Sequence, residues 1–511
     1  MRPVASSHPD PPGTVRSFWS TDFLILLAIA LATVLIHWLT GNRYGFHRDE
    51  LATLEDARHL AWGFVAYPPI TPLFGRLSLI LFGTSLAGFR FFASLVEAAA
   101  VVLCGCMARE LGGRRGAHLV AAIAAVPFCL AGGSLMQYVS FDYFFWVLTS
   151  YFVLRLLKSG DPRWWLAIGA SIGLGMQNKY TMGIFALAIA AAVLLTDARR
   201  FLKSKWLWLG VLLSILIFLP NLLWQIRHNF ISLDFLSFIH ARDVRIGRTD
   251  HFLPNQLQLT LLAFPLALAG LWFYFFSSAG KRYRMLGWMY LITLLLFFFA
   301  KGRAYYVAAT YPMLYAAGAV WGEQWLATIR PLWRYALRGL VWTALVADIA
   351  LISAIFLPFA PVNSAQFRFA NKINGDLREE IGWPDLVQTI AHIRDGLSPQ
   401  DRANFGILTG NYGEAGAINL YGPQYSLPSA ISGTNSFWLR SYPASEPQTL
   451  IVLGFSKAFL EQNFSSCELV AHASNPYGVA NEETEDYPGI FVCRNLKQPW
   501  PEFWKHFRRF G

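Results

Sequence analysis

The chain has 511 residues, 55% of them hydrophobic and only 14% charged, with a mean hydropathy of +0.39. Soluble domains carry about 25% charged residues, so these proportions exclude an ordinary water-soluble enzyme, and with it disorder, coiled coil and collagen. The net charge of +11 does not point to nucleic acid, because much of the Lys and Arg sits in short clusters between apolar runs, where it orients helices.

A bilayer core needs roughly 20 apolar helical residues per crossing. Runs that meet or approach this lie near 20–39, 88–108, 117–133, 138–157, 164–177, 180–196, 206–225, 257–276, 285–300, 305–326 and 338–358, which predicts about eleven spans. No cleavable leader is read before the first, so it is expected to be a retained span. The short loops at 109–116, 158–163, 197–205, 277–284 and 327–337 are all basic, and the positive-inside rule puts them in the cytoplasm. Residues 1–19 are then a cytoplasmic tail and 20–358 the membrane domain. The long segments 40–87 and 226–256 face outward, as does everything after 358.

In the first outer segment, Asp49 and Glu50 open a surface helix whose apolar face is Leu51, Leu54 and Ala57. Farther on, Tyr67-Pro-Pro-Ile-Thr-Pro is not expected to form a regular helix. The outward tail, 359–511, is long enough for a compact domain. It reads as a small α/β unit, with a helix near 384–396, strands at 405–408 and 450–454, a helix from about 456, and strands near 467–472 and 490–494. Cys467 and Cys493 fall beside the last two strands, and a disulfide between them is expected in an oxidising compartment. Cys104, Cys106 and Cys129 lie in apolar runs, and no metal-ligand spacing of Cys or His occurs.

Charged groups at the outer edge of the bilayer are the informative ones, because they are costly there. Asp142 opens the fourth span, Lys179 lies between the fifth and sixth, and Lys301, Arg303, Tyr305 and Tyr306 lie between the ninth and tenth. All share one membrane face with Asp49 and Glu50. Together they suit binding of an anionic lipid head beside a base. The bland readings are helix capping for the carboxylates and interfacial snorkelling for the lysines. Glu97 and Asp348 fall near the middles of their spans without an evident task.

The order Asp49-Glu50, Pro68-Pro69, Asp142, Asn178-Lys179 and Lys301-x-x-x-Tyr305-Tyr306-x-x-x-x-Tyr311-Pro312 resembles the GT-C glycosyltransferases. It is most similar to the bacterial family 39 branch of protein O-mannosyltransferase and lipid A aminoarabinose transferase relatives. The resemblance covers roughly residues 20–330, and Ala108-Arg-Glu-Leu-Gly-Gly-Arg and Gly160-Asp-Pro-Arg-Trp-Trp add to it. It implies a bacterial inner-membrane enzyme with a periplasmic C-terminal domain. Such an enzyme moves a sugar from a polyprenyl phosphate to an envelope glycan, lipid A or lipopolysaccharide, another lipid or a protein, with inversion. Asp49, or Glu50 beside it, matches the catalytic acid of the first outer loop, and Asp142 the second acid. Lys179 and Lys301, with Arg303 and Tyr306, are expected around the donor phosphate. In the tail, Gly410-Asn-Tyr-Gly-Glu-Ala-Gly-Ala and Ile431-Ser-Gly-Thr-Asn-Ser-Phe-Trp are similar to segments of one bacterial branch; Tyr412, Glu414, Asn435 and Trp438 are candidates for acceptor contact or for plain packing. No Asp-x-Asp occurs, so a metal-free reaction without a cofactor is expected. The alternative reading is a transporter or flippase of polyprenyl-linked glycans.

Overall fold

A computed structural model of the chain describes residues 21–511; the expected cytoplasmic tail, 1–19, lies outside the described residues. Helices form at each of the eleven apolar runs. In chain order they are α1 (Thr21–Thr40), then α2 (Arg48–Arg58) and α3 (Ile70–Phe82) in the first connecting segment, then α4 (Leu86–Glu110), α5 (Arg115–Gly132), α6 (Tyr138–Ser159), α7 (Trp164–Met176), α8 (Thr181–Leu195) and α9 (Lys205–Arg227). After α10 (Ile231–Arg245) come α11 (Phe252–Thr260) and α12 (Phe264–Phe276), followed by α13 (Arg284–Phe299), α14 (Tyr311–Thr328) and α15 (Pro331–Phe356). Among the described residues, seven helices are long and apolar enough to cross a membrane unaided, counting α11 and α12 as one. An eighth is added if α8 and the bent turn after it are one span. The chain is a multi-pass membrane protein.

α2 forms as expected, and its stripe of Leu51, Leu54 and Ala57 is fully buried; each leucine contributes about 1.5–3 kcal/mol by leaving water. α3 is a correction. The proline-rich stretch does not stay irregular, because Pro69 caps α3 and Pro72 sits in its first turn, where a missing N–H costs nothing. Within the bundle, α7 and α9 touch backbone to backbone where Gly169 meets Gly210, the close approach that small residues give membrane helices.

Asp348, at mid-span in α15, accepts a hydrogen bond from the Leu262 amide at 3.3 Å. That amide lies at the break between α11 and α12, where Leu261 takes φ +47°. Asp348 therefore satisfies a backbone donor that the break exposes. Glu97 is fully buried in α4, and nothing in the structure gives it a task.

Beyond α15 the chain forms α16 (Ala365–Ile373), α17 (Trp383–Gly396), α18 (Pro399–Ala403), α19 (Tyr412–Tyr421), α20 (Lys457–Asn463), α21 (Glu482–Glu485) and α22 (Trp500–His506) around five strands. The strands are β1 (Phe405–Thr409), β2 (Ala430–Ser432), β3 (Thr449–Leu453), β4 (Phe464–His472) and β5 (Gly489–Leu496), in sheet order β2-β1-β3-β5-β4. β2, β1 and β3 run parallel, while β5 pairs antiparallel with both β3 and β4. Cys467 on β4 lies opposite Cys493 on β5, and the two are disulfide-bonded. This α/β unit shares an apolar core with the bundle: Leu51, Leu54, Phe89 and Phe141 pack with Trp383, Ile407, Ile418 and Ile451.

The basic loops gather at the opposite end of the bundle. Arg155 and Lys158 both reach Glu110, and Arg282 donates to the carbonyls of Leu157 and Lys158.

Candidate active site

Asp49 and Glu50 occupy the first turn of α2, where the helix dipole favours carboxylates, yet they point into different surroundings. Glu50 is fully buried. Its two oxygens accept from Arg90 Nε at 2.8 Å and Nη2 at 2.6 Å, from the Met136 amide at 2.8 Å and from the His47 amide at 2.9 Å. Arg90 also reaches Glu380 at 3.0 Å and the carbonyls of Gly41 and Gly45. Burial, set against the Arg90 charge and reinforced by Glu50, pushes the Glu380 carboxyl up to about 7. Glu50 thus has both oxygens taken up by buried donors, which leaves Asp49 as the more open of the two carboxylates.

The Asp49 side chain remains 40% exposed. Its Oδ1 accepts from the Tyr412 hydroxyl at 2.7 Å and its Oδ2 from Gln137 Nε2 at 3.1 Å. Gln137 immediately precedes α6, and the next residue, Tyr138, presents its ring 5.0 Å from the Lys179 Nζ. Tyr305 and Tyr306 complete an aromatic box around that ammonium at 5.3 and 4.6 Å. Lys179 pairs with Asp142 Oδ2 at 3.5 Å, and Asp142 also accepts from Trp146 at 3.0 Å and Thr181 at 2.9 Å. Asn178 ties this corner together, accepting from Thr71 and donating to the Tyr138 carbonyl. One continuous run of contacts therefore links Asp49, Gln137, Tyr138, Lys179 and Asp142, with Tyr306 against it.

Arg303 joins the same wall through Tyr305 at 3.5 Å, and its Nε donates to Asp243 at 2.5 Å. Asp243, on α10, also faces Arg242 and Arg248 at 3.5 and 3.6 Å. Burial opposes its ionisation, but the Arg303 hydrogen bond and the three guanidinium charges hold its carboxyl below the ordinary value. Three cations share one carboxylate, and the patch is left electropositive. Gln137, Arg242 and Arg248 were not legible as site residues, for each is an ordinary polar side chain placed by long-range packing.

Lys301, Glu414, Asn435 and Trp438 make their contacts apart from this run. Lys301 lines a separate hollow with Asp250, Phe252, Pro254 and Phe299 instead of joining Lys179. Glu414 is buried at the start of α19 and accepts from the Gly410 and Asn411 amides at 3.0 and 3.2 Å. It is a helix cap, and the Asn411-x-x-Glu414 spacing carries that capping signal. Asn435 holds the chain end, donating to the Gly511 carbonyl at 3.1 Å, and Trp438 likewise donates to the Trp504 carbonyl.

With this geometry in view, the likenesses to other proteins take on meaning. Residues 66–224 match the family described as dolichyl-phosphate-mannose-protein mannosyltransferase. The structure superposes on ArnT from Cupriavidus metallidurans bound to undecaprenyl phosphate, with a TM-score of 0.56 and 16% identity, covering 92% of this chain and 97% of that one. The chain has the fold of that ArnT structure. The apo structure of the same ArnT gives the same TM-score of 0.56 at 14% identity, over 93% of this chain and 97% of that chain. No curated protein matches in sequence. In this chain Asp49 lies where the helical bundle meets the small α/β unit, and Gln137 and Tyr138 connect it to Lys179 within the bundle.

Proposed function

We propose that this chain is an inverting glycosyltransferase that moves a sugar from a polyprenyl phosphate to an envelope acceptor on the periplasmic side of a bacterial inner membrane. The observation that carries the reading is Asp49: an accessible carboxylate, fixed by two hydrogen bonds, at the mouth of a bundle whose neighbouring wall bears Lys179, Arg242, Arg248 and Arg303. Sidedness follows from the basic loops at the far end. The donor class is supported by the undecaprenyl phosphate held by the ArnT structure of like fold.

Asp49 takes the proton of an acceptor hydroxyl as that oxygen bonds to the anomeric carbon. The bond from that carbon to the phosphate oxygen breaks, and the lipid phosphate leaves with the electron pair. Attack opposite the leaving group inverts the configuration. A cation about 4 Å from the developing charge has a Coulomb attraction of about 4 kcal/mol at an effective dielectric near 20, before desolvation. The electropositive wall thus stabilises the leaving phosphate while Asp49 activates the nucleophile. The acceptor is an envelope component bearing a free hydroxyl: lipid A or lipopolysaccharide, another glycan, a lipid or a protein.

The test is mass spectrometry of envelope glycans and lipids from cells lacking the protein, complemented with the native chain or with Asp49→Asn. A sugar missing without the protein should return with the native chain and stay missing with the variant at equal abundance. Full restoration by the variant overturns the reading; a transporter would behave that way.

A further inference from the structure

We infer that the C-terminal α/β unit completes the active site itself, with Tyr412 acting as a positioning residue that aims the Asp49 carboxylate. This rests on the reading of Asp49 as the base. It replaces the expectation that Tyr412 meets the acceptor.

The segment Asn411-Tyr-Gly-Glu-Ala-Gly-Ala takes no part in the bond-making and bond-breaking of the transfer. It forms the start of α19, which lies directly on α2. The approach is as close as backbones allow: a Cβ on Gly416 would stand 2.7 Å from Leu51 Cβ and 2.8 Å from its carbonyl oxygen, and one on Gly413 would stand 3.0 Å from Arg48 Cβ. Two glycines one turn apart therefore fix the helix on the segment bearing Asp49. Salt bridges flank the seat, from Arg48 to Glu482 and from Arg440 to Asp56, and Arg58 donates to the Asn419 carbonyl at 3.0 Å.

Tyr412 stands at the front of this seat. Arg48 lies over its ring at 5.0 Å, and its hydroxyl meets Asp49 Oδ1. Burial, and then the Asp49 charge, keep the phenol protonated, so the tyrosine donates and the carboxylate accepts. The bond crosses from one unit of the fold to the other, over 363 residues of sequence. With Gln137 on the second oxygen, it fixes the carboxylate plane. The other titratable or charged groups facing Asp49 are His47, Arg48, Tyr67 and Tyr138. All four belong to the bundle side, so Tyr412 is the contribution of the α/β unit.

The experiment uses membranes from cells carrying the full chain, which supply their own donor and acceptor. The initial rate of appearance of the transferred sugar is followed by mass spectrometry from pH 5 to about 9. Tyr412→Phe keeps the ring and the Arg48 stacking. It should lower the rate at pH 7 by about tenfold or more, the worth of one hydrogen bond to a charged group. Tyr412→Ala should cost little beyond that, and in an Asp49→Asn background Tyr412→Phe should add nothing. A Phe variant with native rate overturns the inference while leaving Asp49 in place. So does a loss confined to the Ala variant, which would mark a packing role. If Asp49→Asn itself keeps full activity, or the native chain transfers no sugar, the functional reading falls and this inference falls with it.

Discussion

Asp49 and Glu50 are consecutive in sequence and share a helix turn, but one opens a mouth and the other closes a wall. At Glu50, four donors converge on two oxygens, and no water reaches them. At Asp49, two neutral donors hold the carboxylate and leave part of it in the open. A buried carboxylate whose oxygens are saturated cannot take a proton from a substrate without breaking the network that justifies its burial. One held by two bonds and still accessible can. The difference shows that the count and strength of partners, more than the presence of charge at a membrane edge, separates a structural acid from a reactive one.

The sharpest way to break this comparison is to exchange the outcomes. Asp49→Asn should cut sugar transfer by about 100- to 10,000-fold, the usual worth of a general base, with thermal stability in detergent unchanged. Arg90→Ala should do the reverse. It leaves Glu50 and Glu380 buried without their cation and should cost about 3–5 kcal/mol, read as lost abundance and a lower unfolding temperature. Equal effects of the two substitutions on stability would erase the distinction drawn between the residues.

Proton linkage sharpens the contrast on the α/β side. Burial, with Glu483 nearby, pushes the Glu414 carboxyl up to about 8 from an ordinary 4.5. The folded chain then binds this proton more tightly than the unfolded chain does. Stability from this group is complete below about 4.5 and declines as pH rises toward about 8, with a slope of at most about 1.4 kcal/mol per pH unit. Glu414→Gln should flatten that dependence in a thermal scan across pH 5–9. An unchanged slope would place the sensitivity elsewhere, at Glu380 first.

The bundle was legible because membrane helices announce themselves by continuous apolar runs, which is why α4, α9 and α15 begin and end within a few residues of expectation outside the start of α15. α2 was legible because Leu51, Leu54 and Ala57 keep helical spacing in a polar segment. The four longer strands, β1, β3, β4 and β5, and the Cys467–Cys493 pair were readable from alternation and position. β2 and α19 were not: β2 has three residues, and α19 is rich in glycine and alanine because its role is close approach, which leaves no apolar stripe to read. The site divided in the same way. Asp49, Asp142, Lys179 and Tyr306 could be proposed because charge or paired tyrosine at a span end is unusual. Gln137, Arg242 and the Tyr412–Asp49 bond exist only after distant segments fold together. Lys301 was misleading because a lysine at a span end has the same sequence signature whether it faces a site or a lipid head.

Asp348 offers the smallest and most discriminating test of the principle drawn from Asp49 and Glu50. It is an acid in the middle of a span, which by charge alone would mark a functional group, yet its partners are backbone amides at the helix break, Leu262 at 3.3 Å and Ala263 beside it. A hydrogen bond of that kind within a membrane protein is worth about 0.6 kcal/mol on average and about 1.7 at most. Asp348→Ala should therefore lower stability by about 1 kcal/mol, read in a denaturant titration in mixed micelles, with sugar transfer retained. Asp348→Asn keeps an acceptor oxygen and removes the charge, so it should cost almost nothing. If Asn proves as damaging as Ala, the ionised carboxylate itself is required, and partner saturation fails as the criterion that separates structural from reactive acids in this bundle.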